Sequence, residues 1–305
     1  MKDTKHKILT LAALTTIAAG VIHLTNRVIV ASSQLKEMLD FSNHNYYNWR
    51  FGKIYYTKKG KGSPLLLIHD TMPGASGYEW SRVEDQLAQE HTVYTLDLLG
   101  CGRSEKAGIT YTNFLFVQII CDFIKNVIKE KTDIIASGFS CSFVTTAAAY
   151  DKESINKIMF INPVSMISLA QTTTKKDKLF KFFIELPIFG TFIYHIIVSR
   201  ETINDFFLYN LYYNPFHVDK DVLDAYYEAA HKGGYYAKCL YSSQSAKYMN
   251  INIRHAVESI DNSIYIVEGE DEPNGAAIVE AYQKVNPAIE SATISCSKHF
   301  PHIEN

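Results

Sequence analysis

Short apolar runs and helix-spaced stretches alternate along most of this sequence, and that alternation restricts the fold more than any single motif. Residues 64–68 form an unbroken apolar run, the pattern of a strand covered on both faces. Residues 92–96, 133–136, 157–161, 264–267 and 292–294 read as further strands. Between them, 78–89, 111–129, 143–150 and 276–285 have helical spacing; in the second of these Phe114, Val117, Ile120, Phe123, Ile124 and Val127 mark the inward face. Ahead of the first buried strand, 46–50 and 53–56 flank Phe51-Gly52 as a hairpin, and 58–63 is a turn-rich break. The alternation predicts an α/β protein: a mostly parallel sheet of about eight strands with helices on both faces.

One stretch breaks the rhythm. Residues 165–259 contain no convincing strand and are helical in pattern, with many Phe, Tyr, Ile and Leu residues. A helical block between two strands of a parallel sheet predicts an inserted cap. The expected organisation is an N-terminal segment 1–33, a first core part 34–164 that opens on a polar linker over 34–45, a helical cap 165–259, and a second core part 260–305.

The first segment has two main readings. Lys2, Lys5 and Lys7 precede an apolar stretch over 8–24 that only His23 interrupts. A basic start and an apolar stretch fit a signal peptide. The stretch continues through Arg27 toward Ala31, which brings it close to the ~20 residues that cross a bilayer. Ala31-Ser32-Ser33 is a passable cleavage site but lies well beyond the apolar run, which favours an uncleaved anchor. With the lysines ahead of the span, the domain is expected outside the cytoplasm. A secreted form, or a soluble protein whose first helix packs on the domain, is the alternative.

Thirty basic residues against thirty-two acidic ones give no basic face for a nucleic-acid partner. The five cysteines, Cys101, Cys121, Cys141, Cys239 and Cys296, show no C-x-x-C spacing. They read as small core residues, not as a disulfide framework or a metal site.

Gly138-Phe139-Ser140-Cys141-Ser142 follows a predicted strand and opens a predicted helix, the setting a nucleophile elbow needs. The tight turn requires small residues two positions either side of the nucleophile, and Gly138 and Ser142 qualify. Earlier, Leu65-Leu66-Leu67-Ile68-His69-Asp70 ends a buried strand, and Asp97-Leu98-Leu99-Gly100-Cys101-Gly102-Arg103-Ser104 follows the next. Near the end come Gly269-Glu270-Asp271-Glu272-Pro273 and His299-Phe300-Pro301-His302-Ile303-Glu304. In this order the motifs resemble those of the α/β-hydrolase superfamily over roughly residues 46–305. The resemblance implies Ser140 as nucleophile, His299 as base, Glu272 (or Asp271) as the acid, and the N–H groups of Cys141 and Thr71 as the oxyanion hole. It implies cleavage of a carboxylic ester or related acyl bond in a small apolar substrate, with no metal and no organic cofactor. An acyltransferase or a cofactor-free haloperoxidase would carry the same residues.

Asp70 departs from the pattern, standing where the family has glycine. Beside an oxyanion hole a carboxylate opposes developing negative charge, unless it points away to anchor a loop. It therefore supports an alternative: a catalytically silent α/β-hydrolase-fold protein that binds a ligand or partner at the membrane. His69 is expected to be structural and His302 to lie at the surface. Aspartate at the elbow itself would have signalled a carboxylate nucleophile, as in dehalogenases and epoxide hydrolases. The chain stops just after Glu304 with no further helix, which predicts an open site or a mobile histidine loop.

Overall fold

The computed structural model describes residues 2–39 and 45–304; positions 40–44 of the expected linker lie outside the described residues. Eight strands form one sheet: β1 Asn45–Trp49, β2 Gly52–Lys59, β3 Ser63–Ile68, β4 His91–Leu96, β5 Thr132–Ser137, β6 Ile155–Ile161, β7 Ile264–Gly269 and β8 Glu290–Ile294. Their order is β1-β2-β4-β3-β5-β6-β7-β8. The β1–β2 and β2–β4 pairs are antiparallel and the rest parallel. The hairpin and every expected strand are present.

The sheet centre is built from side chains that reject water. Leu66, Leu67 and Ile68 of β3 are fully buried, each stabilising the fold by roughly 1.5–3 kcal/mol relative to exposure. The helices, in chain order, are α1 Lys2–Ser33, α2 Glu84–Leu87, α3 Asn113–Phe123, α4 Cys141–Tyr150, α5 Met166–Leu169, α6 Lys175–Glu185, α7 Phe189–Ile197, α8 Arg200–Phe206, α9 Lys220–His231, α10 Lys238–Ser245, α11 Arg254–Ser259, α12 Gly275–Val285 and α13 Pro301–Glu304. Thr112 caps α3 by accepting a bond from the Leu115 N–H at 3.4 Å, and Phe116, Ile119, Ile120 and Phe123 pack inward. Among the described residues, the segment between β6 and β7 contains helices and no strand.

Three local expectations are corrected. The helix expected over 78–89 is a 3-10 turn, Gly77–Trp80, followed by the single turn of α2. The Gly77 N–H is held by Asp97 Oδ1 at 2.6 Å, and the N–H groups of Glu79, Ser81 and Val83 each bond to the carbonyl three residues back at 3.0 Å, which keeps the segment in a 3-10 course. Phe114 is exposed, not inward. Cys296 is exposed and Cys121 half-buried, whereas Cys101, Cys141 and Cys239 are buried as expected.

Helix α1 is exposed along most of its length. Thr10, Thr15, Thr16 and Thr25 each donate to the carbonyl four residues back, at 2.8–3.0 Å, so their hydroxyls are satisfied within the helix. Residues His6–Ser33 are long and apolar enough to cross a membrane. The end of α1 meets the helical block: it packs on α7 and α9, and Asn26 Nδ2 donates to the Ile188 carbonyl at 3.0 Å.

Candidate active site

The site lies at the carboxyl ends of β3, β5 and β7, where a parallel sheet opens a crevice. Strand β5 ends at Ser137, and the chain turns at once into a helical course. Gly138 carries that turn, with φ +53°, in the left-handed region glycine accepts without strain. The elbow of this chain is therefore centred on Gly138, within Ala136-Ser137-Gly138-Phe139-Ser140, two residues ahead of the frame that put Ser140 at the centre.

The expectation for Ser140 is thus not met by the geometry. Ser140 is fully buried, and its hydroxyl donates to the His69 carbonyl at 2.6 Å. It stands where the elbow needs a small residue, not where it presents a nucleophile. The expected oxyanion role of Cys141 moves with it, because the Cys141 N–H is bonded back to the carbonyls of Gly138 and Phe139. The N–H that follows the elbow residue is that of Phe139.

Asp70 fills the vacated position. Its Oδ1 accepts from the Phe139 N–H at 2.9 Å and from the Thr71 N–H at 2.6 Å. These are the two donors an oxyanion hole uses: one after the elbow residue, one from the loop after β3. Its Oδ2 lies 3.4 Å from His299 Nε2. A Cβ on Gly138 would stand 2.2 Å from that same Oδ2, so an elbow side chain and the Asp70 carboxylate compete for one volume. Asp70 does not point away to anchor a distant loop.

His299 completes a line of three groups. Its Nδ1 lies 3.2 Å from Glu272 Oε1, while Asp271 is exposed. Of the two candidate acids, Glu272 is the one brought to the histidine. Burial opposes charge on His299, but its hydrogen bonds to Asp70 and Glu272 outweigh burial and raise its pKa to about 10. The two hydrogen bonds thus favour the imidazolium form of the ring, which lies between Asp70 and Glu272. Asn162 holds its loop: Nδ2 donates to the carbonyls of Lys298 and His299, both at 2.8 Å, and Oδ1 accepts from the Gly269 N–H at 3.1 Å. Sequence reasoning missed Asn162; its position directly after β6 was the available signal.

Two neighbouring histidines differ in role. His69 is structural as expected, with Nε2 accepting from the Leu98 N–H at 3.0 Å. His302 is not at the surface: its side chain is largely buried, stacked on Trp80 at 4.6 Å, with Nε2 3.5 Å from Glu79 Oε1. The loop after β4 is fixed by a buried ion pair, Asp97 with Arg103 at 2.8 Å. Burial alone would raise the Asp97 pKa, but the Arg103 guanidinium holds it at about 2.

Tyr194, Leu240 and Tyr241 close the space above Thr71–Gly74, leaving only about 10 Å³. A cavity of about 840 Å³ opens beside β6 instead, lined by Val164, Met166, Glu272 and His299 among others.

A tight elbow, two N–H donors beside it and a His–Glu pair at the ends of a parallel sheet define a class of architecture. The chain belongs to the alpha/beta hydrolase fold family, whose model matches residues 64–305. It is 28% identical over 114 residues to the 2-hydroxy-6-oxo-6-(2'-aminophenyl)hexa-2,4-dienoic acid hydrolase of Metapseudomonas resinovorans, covering 37% of this chain and 39% of that one. It is 29% identical over 109 residues to the soluble epoxide hydrolase of Corynebacterium sp. strain C12, covering 36% and 37%. The matches thus span under two fifths of these curated relatives' length. Among solved structures, a bacterial membrane phospholipase A superposes with a TM-score of 0.67 at 16% identity, covering 99% of this chain and 94% of that one. That likeness concerns the fold.

Proposed function

We propose that this chain is a hydrolase that works through a carboxylate nucleophile, Asp70, with His299 as proton carrier and Glu272 as the acid that orients it. One observation carries the reading: Asp70 occupies the elbow volume with Oδ1 on both oxyanion donors and Oδ2 facing the histidine. A carboxylate nucleophile needs this arrangement, because in its second step its own carbonyl becomes the oxyanion. Ester hydrolysis at Ser140 lacks such support, since Ser140 gives its proton to a backbone carbonyl inside the fold.

The charge state favours an epoxide as electrophile. A resting imidazolium is an acid, and epoxide opening requires one, whereas serine attack on an ester requires a base. In the first step Asp70 Oδ2 forms a bond to a ring carbon and the carbon–oxygen bond of the ring breaks. The ring alkoxide takes up the proton that His299 releases through solvent. Esterified Asp70 has lost its negative charge, so one of the two groups that kept His299 protonated is gone. Neutral His299 then takes a proton from water, and hydroxide adds to the Asp70 carbonyl carbon. The resulting oxyanion rests on the Phe139 and Thr71 N–H groups. Collapse expels the diol alkoxide, which takes the proton of the acid formed on Asp70. The carboxylate and the imidazolium are restored, and the balance is epoxide plus water to diol. The similarity to a soluble epoxide hydrolase accords with this reading. The Phe, Tyr, Ile and Leu side chains of the helical block, which we read as the cap, favour an apolar substrate.

The test is a single turnover in ¹⁸O-water with a panel of alkyl and aryl epoxides. The label should appear in the peptide that contains Asp70 and not in the first diol formed, and His299→Gln should accumulate an Asp70 ester. Diol formed with unlabelled Asp70 would remove Asp70 as nucleophile. No turnover across the panel would favour the silent, ligand-binding alternative, in which Asp70 permanently satisfies the hole.

We further read α1 as an uncleaved single span with the domain on the far side from the N-terminal lysines, by its length, its apolar composition and the positive-inside rule.

A further inference from the structure

We propose that the exposed faces of α6 and α7 rest in the same bilayer that α1 crosses, so that the helical block sits in the lipid interface instead of standing clear of it. The inference rests on the reading of α1 as a span.

The first argument is depth. A span that enters at His6 reaches Asn26 after twenty residues, and at ~1.5 Å per residue that is about 30 Å, the thickness of the hydrocarbon core. At that level Asn26 Nδ2 donates to the Ile188 carbonyl, and α1 packs along α7. Ile188 and Phe189 are thereby tied to the outer edge of the hydrocarbon.

The second argument is the surface there. On α7, Phe189, Ile193 and Ile196 are spaced i, i+4, i+7 and are 46%, 41% and 56% exposed, while Tyr194, His195 and Val198 face inward. On α6, Leu179, Phe182 and Phe183 form one stripe and are exposed, whereas Lys181 and Ile184 are buried. An apolar patch this large is unusual on a surface facing water. Lys175 and Lys178 stand one turn before Leu179 and Phe182 on the α6 stripe, and Lys176 lies beside them, all exposed. That suits an interfacial helix whose cations reach lipid phosphates while its rings enter the acyl region. A groove of about 590 Å³ between α1 and α7 opens at that level, lined by Asn26, Arg27, Ile188 and Tyr235 among others, where polar headgroups meet the apolar face.

The experiment uses the full-length native chain in phosphatidylcholine vesicles with a minor fraction of phosphatidylserine, where the phosphatidylcholine carries a diazirine in its acyl chain. After irradiation, lipid adducts are mapped by peptide mass spectrometry. The expected result is labelling of α1 and of peptides from 175–198, with none at Tyr150, which ends α4 at the opposite pole of the sheet. Labelling of α1 alone would overturn the proposal while the span stands. Labelling of 175–198 without α1 would remove the span and with it the proposal, since the depth argument depends on α1. Labelling of neither would remove both. Phe182→Asp together with Phe189→Asp should reduce adducts on 175–198 and leave those on α1; unchanged adducts would count against the proposal.

Discussion

At the scale of single residues, two positions share one volume. Gly138 has no side chain and a left-handed backbone, and the Asp70 carboxylate lies where a side chain would be. Gly138→Ala should destabilise the protein by about 1–3 kcal/mol through overpacking alone, read by chemical denaturation. Combining Gly138→Ser with Asp70→Gly empties the oxyanion hole and presents a hydroxyl to His299. That double variant should acquire labelling by a fluorophosphonate probe, which neither single variant and not the native chain should show. The imidazolium gives a second expectation. Because the His299 pKa is raised to about 10 from 6.5, its charge stabilises the fold fully below about pH 6.5 and the contribution is lost as pH rises through 10. Melting temperature should therefore fall between those limits, and Asp70→Asn should flatten that slope.

At the scale of elements, the carriers of the site were largely legible. The strands and the hairpin were visible because a doubly covered strand is apolar throughout, and the motif order matched the Gly269–Pro273 segment to His299 while leaving Glu272 and Asp271 both open. The elbow was misplaced by two residues because two small-x-any-x-small frames overlap between Ala136 and Ser142, and pattern cannot say where β5 stops. The strand ends at Ser137, so the first turn residue is glycine. Asp70 in place of glycine was the visible signal, but its partners lie on β5's turn and the C-terminal loop, contacts that local spacing does not encode. The loop after β6 offers a test of its own. Asn162→Ala removes three hydrogen bonds to the Gly269 and His299 segments, each worth about 0.5–1.5 kcal/mol net, so a loss of about 2–4 kcal/mol is expected in denaturation. Exchange of the His299 amide, bonded to the Leu211 carbonyl at 3.0 Å, should accelerate with it.

At the scale of the whole molecule, the buried Asp97–Arg103 pair joins β4 to the turn that begins at Gly77. Arg103→Ala leaves a buried carboxylate uncompensated and should lower stability by about 3–5 kcal/mol. The helical block and α1 were readable as separate segments, but their docking was not, since it depends on a side-chain amide reaching a carbonyl far along the chain. The exclusion between Gly138 and Asp70 also reaches beyond the present structure. A serine arriving at 138 meets an occupied volume, and an aspartate lost from 70 leaves an elbow with nothing on it. Each change is harmful until the other has occurred, so the two sites are separated from the serine form by a mutational valley. A lineage that has crossed it in one direction is held there, and variation among its descendants should gather in the cavity beside β6 and on the exposed faces of α6 and α7 instead of at the elbow.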